Sequence, residues 1–180
     1  MSIETSNALI AELRARIHDV PDWPKPGIIF KDLTPLLADG RLLRELTLAL
    51  VAPFRDQGVT QIAGMEARGF IFGALAAQAL GVGFVPLRKP GKLPRATHQQ
   101  GYALEYGEAS LEVHIDALGP RDRVLLIDDL LATGGTAAAS ISLVARTGAT
   151  LLGLGFVVEL AFLDGRQRLG NVPVHALLTY

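Results

Sequence analysis

The adjacent carboxylates Asp128 and Asp129, followed closely by Thr133-Gly134-Gly135-Thr136, are the groups whose types and spacing offer chemistry in this chain. Ionised carboxylates only accept hydrogen bonds, so a pair of them suits the hydroxyls of a sugar. A glycine-rich turn entering a helix presents main-chain N–H groups and is a ready anion site. Joined on one segment, the two halves fit a ribose 5-phosphate. The sugar hydroxyls would meet Asp128 and Asp129, and the phosphate would meet the amides of Ala132, Thr133, Gly134, Gly135 and Thr136 with both threonine hydroxyls. The reverse arrangement is excluded by repulsion, because a phosphomonoester carries about −1.5 to −2 charges near neutral pH. Alone, Asp-Asp reads as a strand end and Thr-Gly-Gly-Thr as a turn with an N-cap. Their union on one strand–loop–helix unit is what gives the functional meaning.

The elements that must hold these groups follow from apolar spacing. Arg123 to Ile127 reads as a buried central strand ending at the carboxylates, and Thr136 to Thr147 as the helix after the loop. Further helices are expected over Leu9–Ile17, Leu42–Phe54 and Phe70–Leu80, and further strands over Val59–Ala63, Val82–Leu87 and Leu151–Val158. Leu111 to Asp116 alternates apolar with polar, the mark of a half-buried, antiparallel strand. Pro21, Pro24, Pro26 and Pro35 predict a loop with extended pieces, since proline does not sit inside a helix. Strands alternating with helices imply an α/β fold with a mostly parallel open sheet flanked by helices. The 180 residues suit a single domain over 1–180, and no second domain or repeat is visible. The segment after Asp164 matches no motif.

Composition narrows the class. Apolar residues make up 49% and the net charge is −1, which argues against disorder, a general nucleic-acid binder or a membrane-surface protein. The absence of cysteine excludes disulfides and thiolate metal sites, and the four histidines lack ligand spacing, so no protein-bound metal is expected. No secretory signal or membrane-length apolar run is visible, which predicts a cytoplasmic protein.

Other phosphate signatures fail. There is no Gly-x-x-x-x-Gly-Lys-Ser/Thr, and Gly81-Val82-Gly83 and Gly153-Leu154-Gly155 lack the third glycine of a dinucleotide fingerprint. A second anion site is nonetheless predicted at Glu66-Ala67-Arg68-Gly69, again between a strand and a helix and suited to a diphosphate. Arg88, Lys89 and Lys92, broken up by Pro90, Gly91 and Pro94, resemble a mobile phosphate-seeking lid.

The segment Asp128 to Thr136 resembles the phosphoribosyl diphosphate (PRPP) motif of the type I phosphoribosyltransferases. Pro24–Leu37, Glu66–Gly73, and Arg88–Pro94 followed by Leu104-Glu105-Tyr106-Gly107 narrow the resemblance to the adenine enzymes of that family, over about Val20 to Gly155. The resemblance implies transfer of the 5-phosphoribosyl group from PRPP to adenine, giving AMP and diphosphate. It also implies a small N-terminal hood over about 1–37 for the base and a flexible β-arm over about 88–110. Phe30 would stack on adenine while main-chain groups of Ile29 and Lys31 read its edge. Glu66, Ala67, Arg68 and the basic lid would meet the diphosphate, and Glu105 would exchange a proton with the purine. Catalytic roles are thus expected for Glu105, Arg68 and Asp128, with Mg²⁺ held mainly through PRPP and water, in a homodimer. Two alternatives share the PRPP motif: an enzyme for hypoxanthine, guanine or xanthine, and a PRPP-sensing regulator.

Overall fold

The computed structural model describes residues 7–103 and 108–180. In chain order the elements are α1 (Asn7–Arg16), a hairpin of β1 (His18–Pro21) and β2 (Ile29–Asp32), a single-turn α2 (Thr34–Leu37) and α3 (Gly40–Val51). They continue with β3 (Gln61–Met65), α4 (Gly69–Leu80), β4 (Gly83–Leu87), β5 (Thr97–Ala103) and β6 (Glu108–His114). The remainder is β7 (Arg123–Leu131), α5 (Gly135–Arg146), β8 (Thr150–Glu159) and β9 (Val174–Thr179).

Five of these strands form one sheet in the order β4-β3-β7-β8-β9, and every pairing in it is parallel. Successive side chains on a strand leave opposite faces, and β7 uses both. Leu125 and Ile127 join Leu46 and Leu50 of α3 and Phe72 and Ala76 of α4 in one buried cluster. Val124 and Leu126 join Leu143 and Val144 of α5 and Leu111 and Val113 of β6 in another. A central strand covered on both faces must be apolar at consecutive positions, which is why Val124–Ile127 is an unbroken run. The expected parallel α/β architecture is therefore present. β5 and β6 make a separate antiparallel arm, and β1 and β2 a separate antiparallel hairpin. No helix among the described residues is long and apolar enough to cross a membrane.

Two expectations need correction, and one unassigned segment acquires a structure. The central strand does not end at Ile127 but runs through Asp128 and Asp129 to Leu131, because β8 continues to pair with it as far as Leu131↔Glu159. Pro35 does sit in a helix, in the first turn of α2, where its missing N–H costs no helical hydrogen bond. The segment after Asp164, which carries no motif, forms a 3₁₀ turn over Gly165–Leu169 and then β9, the sheet's edge strand.

That last segment is pinned by charge. Arg166 binds both carboxylate oxygens of Glu159, one of them from Nε at 2.8 Å, and donates from Nη1 to Val174 O at 3.1 Å. Glu159 is only 7% exposed, and its hydrogen bonds from Arg166 hold its carboxyl below the ordinary 4.5, against the opposing pull of burial. A carboxyl lowered in the folded state contributes stability above its unfolded value and loses it as pH falls through the folded value. Glu159→Gln should therefore melt at a lower temperature than the parent at neutral pH. The gap should narrow as pH falls below the ordinary carboxylate range, as thermal melts from neutral to acidic pH will show.

Candidate active site

The cleft begins where two neighbouring strands part. β3 pairs with β7 only as far as Gly64↔Ile127, whereas β8 follows β7 four residues further. Asp128 and Asp129 thus lie just beyond the point at which β7 has lost one neighbour, at the carboxyl end of the sheet, where α/β proteins bind ligands. The helix after β3 fills part of this gap. A Cβ on Gly69 would stand 2.6 Å from Asp128 Oδ1, so only glycine lets the start of α4 approach this closely.

The two carboxylates have different surroundings. Asp128 is half-buried and lines a cavity of about 80 Å³ with Ala132, Thr133, Gly134, Gly135 and Thr136. Desolvation, reinforced by the neighbouring Asp129 charge, pushes its carboxyl well above the usual range, although the Asp129 N–H donates to Asp128 Oδ1 at 2.8 Å. Asp129 is 4% exposed and pairs with Nε of Arg68. The phosphate-loop residues predicted from sequence are therefore gathered around one hollow, with Phe156 and Leu130 as its apolar wall.

The loop's conformation follows from its glycines. Gly134 is the N-cap of α5 with φ +80°, a region that side chains rarely adopt. Among the described residues no side chain caps this helix, so its first amides have no side-chain partner among them. Gly134 also lies directly against Gly165, where a Cβ on either residue would collide with the other's backbone segment. Thr136 Oγ1 lies 3.2 Å from Tyr102 Oη, and Arg146 Nη1 donates to Gln99 O at 2.6 Å, so both ends of α5 hold β5.

The second predicted anion loop, Glu66–Arg68, includes a cis Glu66–Ala67 peptide and leads into α4 with Arg68 as its N-cap. Glu66 accepts from Lys89 N at 2.8 Å, and Arg88 Nε lies 3.4 Å away in a charge contact without an aligned hydrogen bond. These donors, Lys89 N foremost, hold the Glu66 carboxyl below its ordinary value. Arg88 also donates from Nη1 to Lys92 O at 3.0 Å, and Gly91 N donates to Glu112 Oε2 at 3.1 Å. The three lid cations are thereby sorted: Arg88 faces inward on Glu66, while Lys89 and Lys92 are exposed.

On the hood, Ile29, Phe30 and Lys31 lie on β2, in register with Pro21, Val20 and Asp19 of β1. This corrects the expectation that an irregular segment leaves its amides free: one edge of β2 is taken by β1, and among the described residues only the other has no strand beside it. Phe30 is not core. Trp23 meets it edge-on at 4.4 Å between ring centroids, and Arg68 Cζ lies 5.4 Å from its ring centroid. Arg68 therefore connects the Phe30 hood to Asp129 on the sheet.

Glu105 lies outside the described residues. Trp23, Tyr102, Phe156 and Gly165 were missed from sequence. Trp23 had a usable signal, the single tryptophan beside the proline-rich hood; Gly165 had none, because its partner is distant in the chain. Among the described residues no cluster of three or more His, Asp or Glu is placed to hold a metal.

Comparisons with known proteins agree with this geometry. A family model described as a phosphoribosyl transferase domain matches residues 38–172. The adenine phosphoribosyltransferase of Methylococcus capsulatus is 61% identical over 169 residues, covering 94% of this chain and 99% of the relative. The crystal structure of the adenine phosphoribosyltransferase from Rhodothermus marinus superposes with a TM-score of 0.93 at 49% identity, covering 97% and 100% of the two chains. That of the Saccharomyces cerevisiae enzyme, complexed with an imino-altritol bisphosphate and adenine, gives 0.91 at 41% identity, covering 96% and 100%.

The Arg68–Asp129 pair generates a test. Removing one partner of a pair with a buried member leaves an uncompensated charge. With Arg68 half-exposed, Arg68→Gln should cost about 1–2 kcal/mol in denaturant unfolding, and the double variant with Asp129→Asn should recover most of it. Simple additivity of the two single effects would show that the ion pair is not a stabilising unit.

Proposed function

The chain belongs to the phosphoribosyltransferase family, and from that premise we propose how its cleft works as an adenine phosphoribosyltransferase, an enzyme of purine salvage. It transfers the 5-phosphoribosyl group of PRPP to adenine, giving AMP and diphosphate. One observation carries the assignment of parts: the hollow that joins Asp128 to the uncapped start of α5. The 5-phosphate takes the amides and hydroxyls of Ala132–Thr136, and the ribose hydroxyls donate to Asp128 and Asp129. Phe30 takes the base against its face, with Arg68 above it, and the open edge of β2 at Ile29 and Lys31 reads the purine's polar edge.

In the reaction, purine N9 bonds to the anomeric carbon as the carbon–oxygen bond to diphosphate breaks, and the N9 proton must leave. Glu105 receives it, on the resemblance of Leu104–Gly107 to the family. Positive charge developing on the sugar is supported by Asp128. The departing diphosphate is met by the Glu66–Arg68 loop and by Lys89 and Lys92, the two exposed lid cations. Mg²⁺ fits this site through substrate oxygens and waters, because Asp129 is committed to Arg68 and, among the described residues, no cluster of three or more acidic or histidine side chains could hold the ion. When bound, the ion neutralises diphosphate charge. A homodimer belongs to the same reading, on the family resemblance.

Diphosphate release with PRPP, Mg²⁺ and each purine base separately tests this reading. Turnover is expected with adenine and not with hypoxanthine, guanine or xanthine. A site that hydrogen-bonds one purine edge can reject another by up to about 10⁴-fold. Turnover with an oxopurine would overturn the base pocket, and none with any base would overturn the enzyme.

Asp128 gives a second prediction. A carboxyl raised in the folded state makes stability fall as pH rises from the unfolded value of 3.8 toward the folded one, so its ionised form is a cost near neutrality. Asp128→Asn should melt higher than the parent near pH 7 while losing about 100-fold or more in kcat/KM, since it removes charge support from the transition state. A variant that is slower but no more stable would show that burial of this charge is not what the site opposes.

A further inference from the structure

The β1–β2 hairpin that carries Phe30 is a two-stranded sheet of its own and does not join the main sheet through strand pairing. Isolated two-stranded hairpins are marginal in water, so its placement over the cleft needs another tie. One such tie is the ring of Tyr180. Lys31 Nζ lies 4.0 Å and Arg14 Cζ 4.5 Å from that ring's centroid, close enough for attraction between cation and aromatic face. Arg14 also donates from Nη2 to Thr179 O at 3.0 Å, and Lys31 bonds Asp19 across the hairpin at 2.6 Å. The Lys31 side chain is 11% exposed, so its ammonium depends on Asp19 and the ring in place of water. Tyr180 is itself fixed to the sheet: its N–H donates to Glu159 O and its carbonyl accepts from Ala161 N, both at 2.9 Å.

We propose that Tyr180 is a positioning residue for the purine. Its ring sets the seat of Lys31, and through β2 the height of Phe30 beneath Arg68. The inference rests on the base site proposed at Ile29–Lys31. It assigns a function to the aromatic face of Tyr180 and none to its hydroxyl, which distinguishes it from ordinary packing.

The test compares Tyr180→Leu with Tyr180→Phe by steady-state kinetics and by acrylamide quenching of Trp23, the single tryptophan, which touches Phe30. Tyr180→Leu should raise KM for adenine about three- to tenfold, leave kcat and the KM for PRPP within about twofold, and increase quenching. Tyr180→Phe, which keeps the ring, should match the parent in all four readings. Equal harm from both variants, a parallel rise in both KM values, or an unchanged adenine KM in Tyr180→Leu would overturn the proposal. Should Tyr180→Leu fold poorly, Arg14→Met removes the other cation, and about a twofold rise in adenine KM is expected; no rise would count against the ring. Absence of turnover with adenine in the parent would sink the base-site reading separately. Quenching would still decide whether the ring holds the hairpin: an increase in Tyr180→Leu alone supports it, and equal values in all three proteins overturn it.

Discussion

The parting of β3 from β7 after Ile127 is the constraint on which the rest of the site depends. While both neighbours accompany β7, its residues are apolar and covered on both faces; once β3 turns away, the same strand carries two carboxylates. The gap brings together the loops that follow β3 and β7, so the start of α4 and the start of α5 face one cleft. Gly69 keeps α4 close against Asp128, and β8 keeps β7 straight through the change. Backbone pairing on one side and a ligand-sized opening on the other are thus a single arrangement of three strands.

Charge is distributed over this opening so that few groups are idle. Arg68 meets Asp129 on the sheet and Phe30 on the hood; Glu66 organises the lid through Lys89 N and Arg88. Asp128 is the exception: burial and the neighbouring Asp129 charge both disfavour its ionised form. Concentrating unfavourable electrostatics on one group inside a cleft is what sites built for function rather than stability do. The salt-bridged Glu159–Arg166 pair at the carboxyl end of β8 is its counterpart, a buried carboxylate fully matched by a bidentate arginine.

Much of this was legible in the chain. Apolar runs and 3.6-residue stripes located α1, α3, α4 and α5 and the strands β3, β4, β7 and β8 to within a few residues, because burial on both faces of the sheet leaves a strong signal. The strand–loop–helix unit around Thr133–Thr136 was legible because strand, glycines and helix are contiguous, so the whole unit lies within Val124–Thr147. What failed depends on pairing with distant segments. The strand reaches Leu131 because β8 pairs with it, and polar Asp128 and Asp129 give no hint of that. Phe30 could not be told from a core residue, since its neighbours Trp23 and Arg68 are set by the tertiary fold. Arg88 looked like its lid companions until Glu66 was seen beside it. The segment after Asp164 was silent because its structural purpose is to contact a loop thirty residues earlier.

That contact has a consequence for altering the protein. Gly134 and Gly165 exclude side chains from one another's place, so the loop before α5 and the turn before β9 behave as one machined part with zero clearance. A bulkier residue at either position displaces the other segment, and a lengthened turn cannot fit beneath the loop. Enlarging the hollow therefore has to move both segments together. On the Thr136 side the constraint is softer, since what meets that residue's hydroxyl at 3.2 Å is the side chain of Tyr102 rather than backbone.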